Sequence, residues 1–124
     1  MSKRILAFAL IAVFALVLVG GCSETEEETI ENTIRDYYSA YNAGDWNACL
    51  GHIDDTNNVG ENTMESMLQM ARAATGEVTV DSVENISISG LSATADVKIT
   101  SGDQSETKEY PLVKKDGSWK ISWQ

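Results

Sequence analysis

His52 is the single histidine of the chain, and so the one side chain whose unperturbed pKa suits proton transfer near neutrality. Asp54 and Asp55 follow closely enough to orient its ring, a pairing that a dehydratase could use. The same residues read equally as a surface cap, because a histidine closing a short helix sits well at the negative helix terminus. Asp96 and Asp81 are the other candidate bases. Asp96 lies between Ala95 and Val97 and Asp81 beside Val80, both on the polar phase of an alternating strand, where a carboxylate is solvated and not poised by burial. His52 and Asp96 therefore stand as weak catalytic candidates.

Asp55, Asn57 and Gly60 have the spacing of the first, third and sixth places of a calcium loop, but Val59 falls on a ligand position and Ser66 replaces the closing glutamate. Asn85-Ile86-Ser87 is a glycosylation sequon, meaningful only in a host that modifies exported proteins. The sequence holds no Ser-His-Asp set, no phosphate-cradling glycine loop and no histidine cluster. Neither a metal nor a cofactor is expected.

The two cysteines, Cys22 and Cys49, carry different chemistry. Lys3 and Arg4 are followed by a run without charge from Ile5 to Gly21, a basic and then apolar leader. Its 15 residues from Ile5 to Val19 fall short of the roughly 20 that span about 30 Å of hydrocarbon, which favours a cleaved signal over a permanent helix. Leu18-Val19-Gly20-Gly21-Cys22 resembles the bacterial and archaeal lipobox, in which small residues precede a lipid-modified cysteine. The expectation is a signal peptide over 1–21, lipid attachment at Cys22, and a protein exported and anchored to the outer side of a membrane. Cys49 is then left without a partner, and its place between Trp46 and Leu50 at helical spacing points to a buried thiol.

Removing 21 of 124 residues leaves 103, enough for one domain with a modest core. Loss of Lys3 and Arg4 takes the formal charge from −10 to −12. So acidic a chain repels phosphate backbones, which excludes nucleic acid as a partner and aids solubility.

The elements follow from periodicity. Residues 22–29 are charged, with nothing to bury, and read as a flexible acidic tether. Ile30, Ile34, Tyr37, Tyr38 and Tyr41 recur on one helical face. Gly44 suits a left-handed stop, and Asp45 caps a short second helix through Trp46, Cys49, Leu50 and Ile53. A polar loop leads to a third helix from Asn62, with Met64, Met67, Leu68, Ala71 and Ala74 as its apolar stripe up to Gly76. The period then changes to two. Val78, Val80, Ile86 and Ile88 share a face interrupted near Ser82-Val83-Glu84, and Ala93, Ala95, Val97 and Ile99 form the clearest strand. A third strand over about 105–113 contains Pro111, which argues for an edge or a bulge. Asp116-Gly117 turns into Trp119, Ile121 and Trp123 on one face.

Three helices before an antiparallel meander of about four strands make an α+β domain over 30–124, its helices on one sheet face. Ile34-Arg35-Asp36-Tyr37-Tyr38-Ser39-Ala40-Tyr41-Asn42-Ala43-Gly44-Asp45-Trp46 resembles the first-helix signature of the nuclear transport factor 2-like (NTF2-like) superfamily, and Asp116-Gly117-Ser118-Trp119-Lys120-Ile121 resembles its last hairpin. Within that superfamily the chain looks most like small lipoproteins of unknown function with a cystatin-like core. The resemblance implies a curved sheet wrapped round the first helix into a cone whose open end can hold an apolar ligand. It makes Tyr37, Tyr41, Trp46 and Trp119 candidates for the pocket wall as well as for the core. Some members of the superfamily are isomerases, cyclases or dehydratases and others only bind or dimerise, so the fold alone does not choose. A ketosteroid-type isomerase needs a carboxylate base and a protonated acid beside a tyrosine, and the register does not supply both acids. The expectation is a non-catalytic lipoprotein that binds a small apolar ligand or an envelope protein. A pocket enzyme and a structural or homodimerising module are the alternatives.

Overall fold

The computed structural model describes residues 25–123; the leader over 1–21, Cys22 and the start of the tether lie outside the described residues. Three helices come first, α1 (Glu26–Ala43), α2 (Trp46–Gly51) and, after the short strand β1 (Ile53–Asp54), α3 (Glu61–Thr75). The meander β2 (Thr79–Ser89), β3 (Ser92–Ser101), β4 (Gln104–Lys115) and β5 (Ser118–Ser122) follows. The domain is α+β, with helices laid on a curved sheet as expected.

Helix α1 starts earlier than its apolar stripe indicated. Thr25 is its N-cap, accepting the Glu28 amide on its hydroxyl at 3.1 Å, and Glu26, Glu27 and Glu28 form the first turn, where their charge suits the helix dipole. The acidic stretch within 22–29 is thus partly helical. Ile30, Ile34, Tyr37, Tyr38 and Tyr41 are buried. Gly44 stops α1 at φ 72°, and Asp45 caps α2 by accepting the Ala48 amide at 3.3 Å, the arrangement its sequence indicates. Cys49 is fully buried, its thiol donating to Tyr37 O at 3.4 Å. No helix among the described residues is long and apolar enough to cross a membrane.

Five strands, not four, make the sheet, in the order β1-β5-β4-β3-β2. The addition is β1, parallel to β5 through Ile53↔Ile121 and Asp54↔Ser122. Two residues are too few for any periodicity, and their partner lies at the far end of the chain. Pro111 corrects a second expectation: β4 is interior, and its register with β3 runs unbroken through Thr94↔Pro111. The Lys114 amide donates to Leu91 O on the β3 side, so by alternation position 111 points toward β5, whose pairing with β4 ends at Leu112↔Ile121. The proline therefore stands where the ladder has already stopped. In β2 the register shifts twice, between Val80 and Ser82 and between Glu84 and Ser87. Each added residue resets the phase, so that Val80, Val83, Ile86 and Ile88 share the side occupied by Ala93, Ala95, Val97 and Ile99.

That inner side is the core face. From β4 it takes Leu112, which is paired to Ala93, and from β5 Trp119 and Ile121, all buried.

Candidate functional site

The inner phase of β4 does not stay apolar. Beyond Leu112 it carries Tyr110 opposite Ala95, Lys108 opposite Val97 and Glu106 opposite Ile99, and here the sheet leaves α1 and forms a cavity of about 360 Å³. Tyr37, Tyr38 and Tyr41 line it from α1, Met67, Leu68 and Ala71 from α3, and Ile99, Glu106, Lys108, Tyr110 and Trp123 from the sheet side. Two further recesses share part of its lining. One, of about 470 Å³, shares Thr75, Ile99, Ser101 and Glu106; the other, of about 350 Å³, shares Tyr37, Lys108, Tyr110 and Trp123.

The tyrosines come from residues 37, 38 and 41 because three and four steps along a helix return to one face. Their rings meet edge on, with Tyr37 and Tyr38 centroids 4.8 Å apart and Tyr38 and Tyr41 5.8 Å apart. Tyr38 and Tyr110 stack at 6.3 Å and share a hydrogen bond between their hydroxyls. Burial pushes the Tyr37, Tyr38 and Tyr110 hydroxyls above the usual phenol range, so they act as neutral donors and acceptors and not as phenolates. Lys108 and Glu106 are 3.4 Å apart and about half exposed at the mouth.

Helix α3 makes one wall with a narrow seat. Met64 and Leu68 are buried, but Met67 is 47% and Met70 71% exposed, so the broad apolar stripe expected of this helix is only half covered. Its hold is completed by Arg72 donating to Asn42 O at 3.2 Å and by a contact of 3.4 Å between the Tyr41 and Thr75 hydroxyls.

Of the pocket candidates named from sequence, Tyr37 and Tyr41 line the cavity. Trp46 stands behind it, its ring edge against Tyr41 at 6.0 Å. Trp119 is in the sealed core, only 3% exposed, with the Lys114 ammonium 5.8 Å from its ring and its indole N–H buried without a partner among the described residues. Tyr38, which the sequence places on the same helical face as Tyr37 and Tyr41, joins them in the lining, and Met67, Glu106, Lys108 and Tyr110 are the lining residues that sequence reasoning missed. The signal for the last three is the two-residue phase of β4 counted back from Leu112.

The acid and base candidates do not converge. His52 closes α2, and its carbonyl accepts the Ile121 amide at 2.8 Å. Asp54 is engaged by Lys115 at 3.0 Å and by the Thr56 hydroxyl at 2.9 Å, and the Lys115 hydrogen bond holds its carboxyl below the usual carboxylate range. Asp55 accepts the Val59 and Gly60 amides at 2.9 and 2.8 Å, which makes the loop's acid a backbone brace. Asp96 is on the outer sheet face in register with Glu84 and Glu109, accepting Asn85 Nδ2 at 2.9 Å. Asp81 likewise accepts the Thr100 hydroxyl. The Cys49 thiol is pushed up to about 11, by burial first and Asp45 second, so it is inert at neutral pH. Cys22 lies outside the described residues. No group of three or more metal-ligating side chains occurs among the described residues.

A family described as "Low molecular weight antigen MTB12, C-terminal domain" matches residues 51–124. Among solved structures, a putative NTF2-like transpeptidase from Campylobacter jejuni aligns at 20% identity and a TM-score of 0.53, covering 82% of this chain and 100% of that one. An NTF-2 like protein of unknown function from Shewanella oneidensis aligns at 15% identity and a TM-score of 0.60, covering 78% of this chain and 94% of that one. At such identities the likeness is one of fold. No curated protein matches.

Proposed function

The chain belongs to the family described as the C-terminal domain of the low molecular weight antigen MTB12, and from that premise we propose that it is a non-catalytic binding module, exported and held at the outer side of a membrane through Cys22. Its ligand is a small molecule with an apolar body and a hydrogen-bonding carbonyl or hydroxyl. One observation carries the reading: Met67, Leu68 and Ala71 of α3 and Ile99 of β3 line one cavity with tyrosines whose hydroxyls burial keeps neutral, while His52 and Asp96 both fall outside the cavity lining. Such walls supply the burial and the hydroxyls the orientation that ligand sites require.

Titration with the apolar naphthyl ketone prodan tests the cavity. Saturable one-to-one binding with a blue-shifted emission is expected, weakened about tenfold or more when Ala71→Trp fills the space. Binding indifferent to Ala71→Trp overturns the site, and leaves an envelope protein on the outer surface as the occupant to seek. The anchor has its own test: Cys22→Ala should block processing and lipid labelling, and a mature protein whose mass starts anywhere but Cys22 refutes it.

A further inference from the structure

Leu91 belongs to the tight turn between β2 and β3, where small or polar residues are usual, yet it is 67% exposed, and Ile88 on the same hairpin is 36% exposed. Single exposed apolar residues need no explanation; this pair is distinguished by its place. The Lys114 amide donates to Leu91 O at 2.8 Å while the Lys114 ammonium holds the Glu26 carboxylate at 2.9 Å. One residue of β4 thus bridges the hairpin tip and the first turn of α1. Thr25 also borders a recess with Val83 and Ile86 of β2. The chain enters the domain at the end where the hairpin shows Ile88 and Leu91.

Four residue steps from Cys22 to Glu26 reach at most about 14 Å. From Glu26, α1 rises about 22 Å to Tyr41, and β3 advances about 30 Å from Ser92 beside the hairpin tip to Ser101. The cavity lining begins at Tyr37, about 16 Å up α1, and at Tyr110 opposite Ala95, about 10 Å along β3, and runs to Tyr41, Ile99 and Ser101 at those distant ends. An anchor at Cys22 therefore holds the Leu91 end close to the bilayer surface, and if that end is also the part that touches the lipid, the far end of the cavity stands away from it.

We propose that Ile88 and Leu91 form a membrane-contact tip that seats the domain on the bilayer by its entry end, so that the tyrosine cavity opens away from the membrane and receives its ligand from the medium or a soluble carrier instead of from the lipid. This rests on the anchoring reading above. Glu27, Glu28, Glu31 and Glu84 surround the neighbouring recess and repel anionic heads, so the surface suits zwitterionic lipid.

The test uses the lipidated chain in phosphatidylcholine vesicles, with an environment-sensitive dye on Leu91→Cys or, at the opposite turn, on Asp103→Cys. Burial of Cys49 keeps the labelling selective. The expected result is a blue shift and quenching by shallow nitroxide lipids at 91 and neither at 103, with a smaller response at 91 when phosphatidylglycerol is added. A chain that floats with the vesicles while position 91 is as wet as 103 overturns the seating and leaves the anchor standing. Quenching at 103 alone overturns it by inverting the orientation. A chain that does not float removes anchor and seating together.

Discussion

Helix α1 and strand β4 each pass through two regions with opposite outcomes. In the sealed region, Ile30 and Ile34 from α1, Leu112 from β4 and Trp119 from β5 are excluded from water. In the open region the same helix offers Tyr37, Tyr38 and Tyr41, and the same strand offers Tyr110, Lys108 and Glu106, to a cavity. Both regions use one face of each element. They differ in what arrives to cover it: β5 closes the first, and α3, seated on Met64 and Leu68 alone among its buried residues, only partly roofs the second. Stability should therefore concentrate in the sealed region and binding in the open one.

Removing Trp119 breaks the comparison most directly. Trp119→Ala should cost about 3–5 kcal/mol in denaturant titration while leaving the cavity's affinity for prodan nearly unchanged. A loss below about 0.5 kcal/mol, typical of surface positions, would reverse the two regions. Trp119→Phe should cost much less, because it also deletes an indole N–H that is buried without a partner among the described residues.

Leu68→Ala comes next, at about 2–4 kcal/mol. Because the seat of α3 is so narrow, amides over 61–75 should exchange faster in the variant than those of β3. Uniform acceleration of both would mean that α3 is part of the sealed region after all.

Tyr38→Phe and Tyr110→Phe should each cost about 1–2 kcal/mol, since either leaves the other hydroxyl buried without its partner. The double variant should be no worse than the harsher single one, and simple additivity in that cycle would deny the coupling. The same hydroxyls bear on alkaline stability. Their pKa values are raised on folding, so the stability they confer is complete below the ordinary tyrosine value of about 10 and is lost as pH climbs above it. Tyr37→Phe should soften that alkaline loss.

The smallest effect is expected at the β1 edge. Lys115 lowers the Asp54 pKa on folding, so the pair's contribution is complete above pH 4 or so and fades as the solution becomes more acid. With the Lys115 side chain 60% exposed, the pair should amount to about 0.5 kcal/mol. Comparing the wild type with Asp54→Asn at neutral and at low pH should show the difference only at neutral pH.

Much of this division was legible in the chain. The tyrosine triplet, the Gly44-Asp45 break and the alternation of β3 are local patterns, and local patterns survive folding because neighbours in sequence alone set the phase. The phase of β2 was not legible beyond its interruption, since two inserted residues each turn the strand over and only pairing with β3 shows which turn counts. In sequence Trp46 and Trp119, like Tyr37 and Tyr41, suit the core as well as a pocket wall, and nothing local distinguishes an indole that seals a core from one that lines a hollow.

The sequence by itself determined the α+β order, the helix stops, the inner face of β3 and of the final hairpin, and the acidic charge, because each depends on residue type and short spacing. Tertiary structure alone decided that β1 joins β5, that Pro111 is tolerated inside the sheet, that Lys108 and Glu106 stand at a cavity mouth, and that α3 leaves Met67 and Met70 uncovered. Each of these depends on which distant segment arrives to pair with or cover a surface, and that is set by the shape of the whole curved sheet.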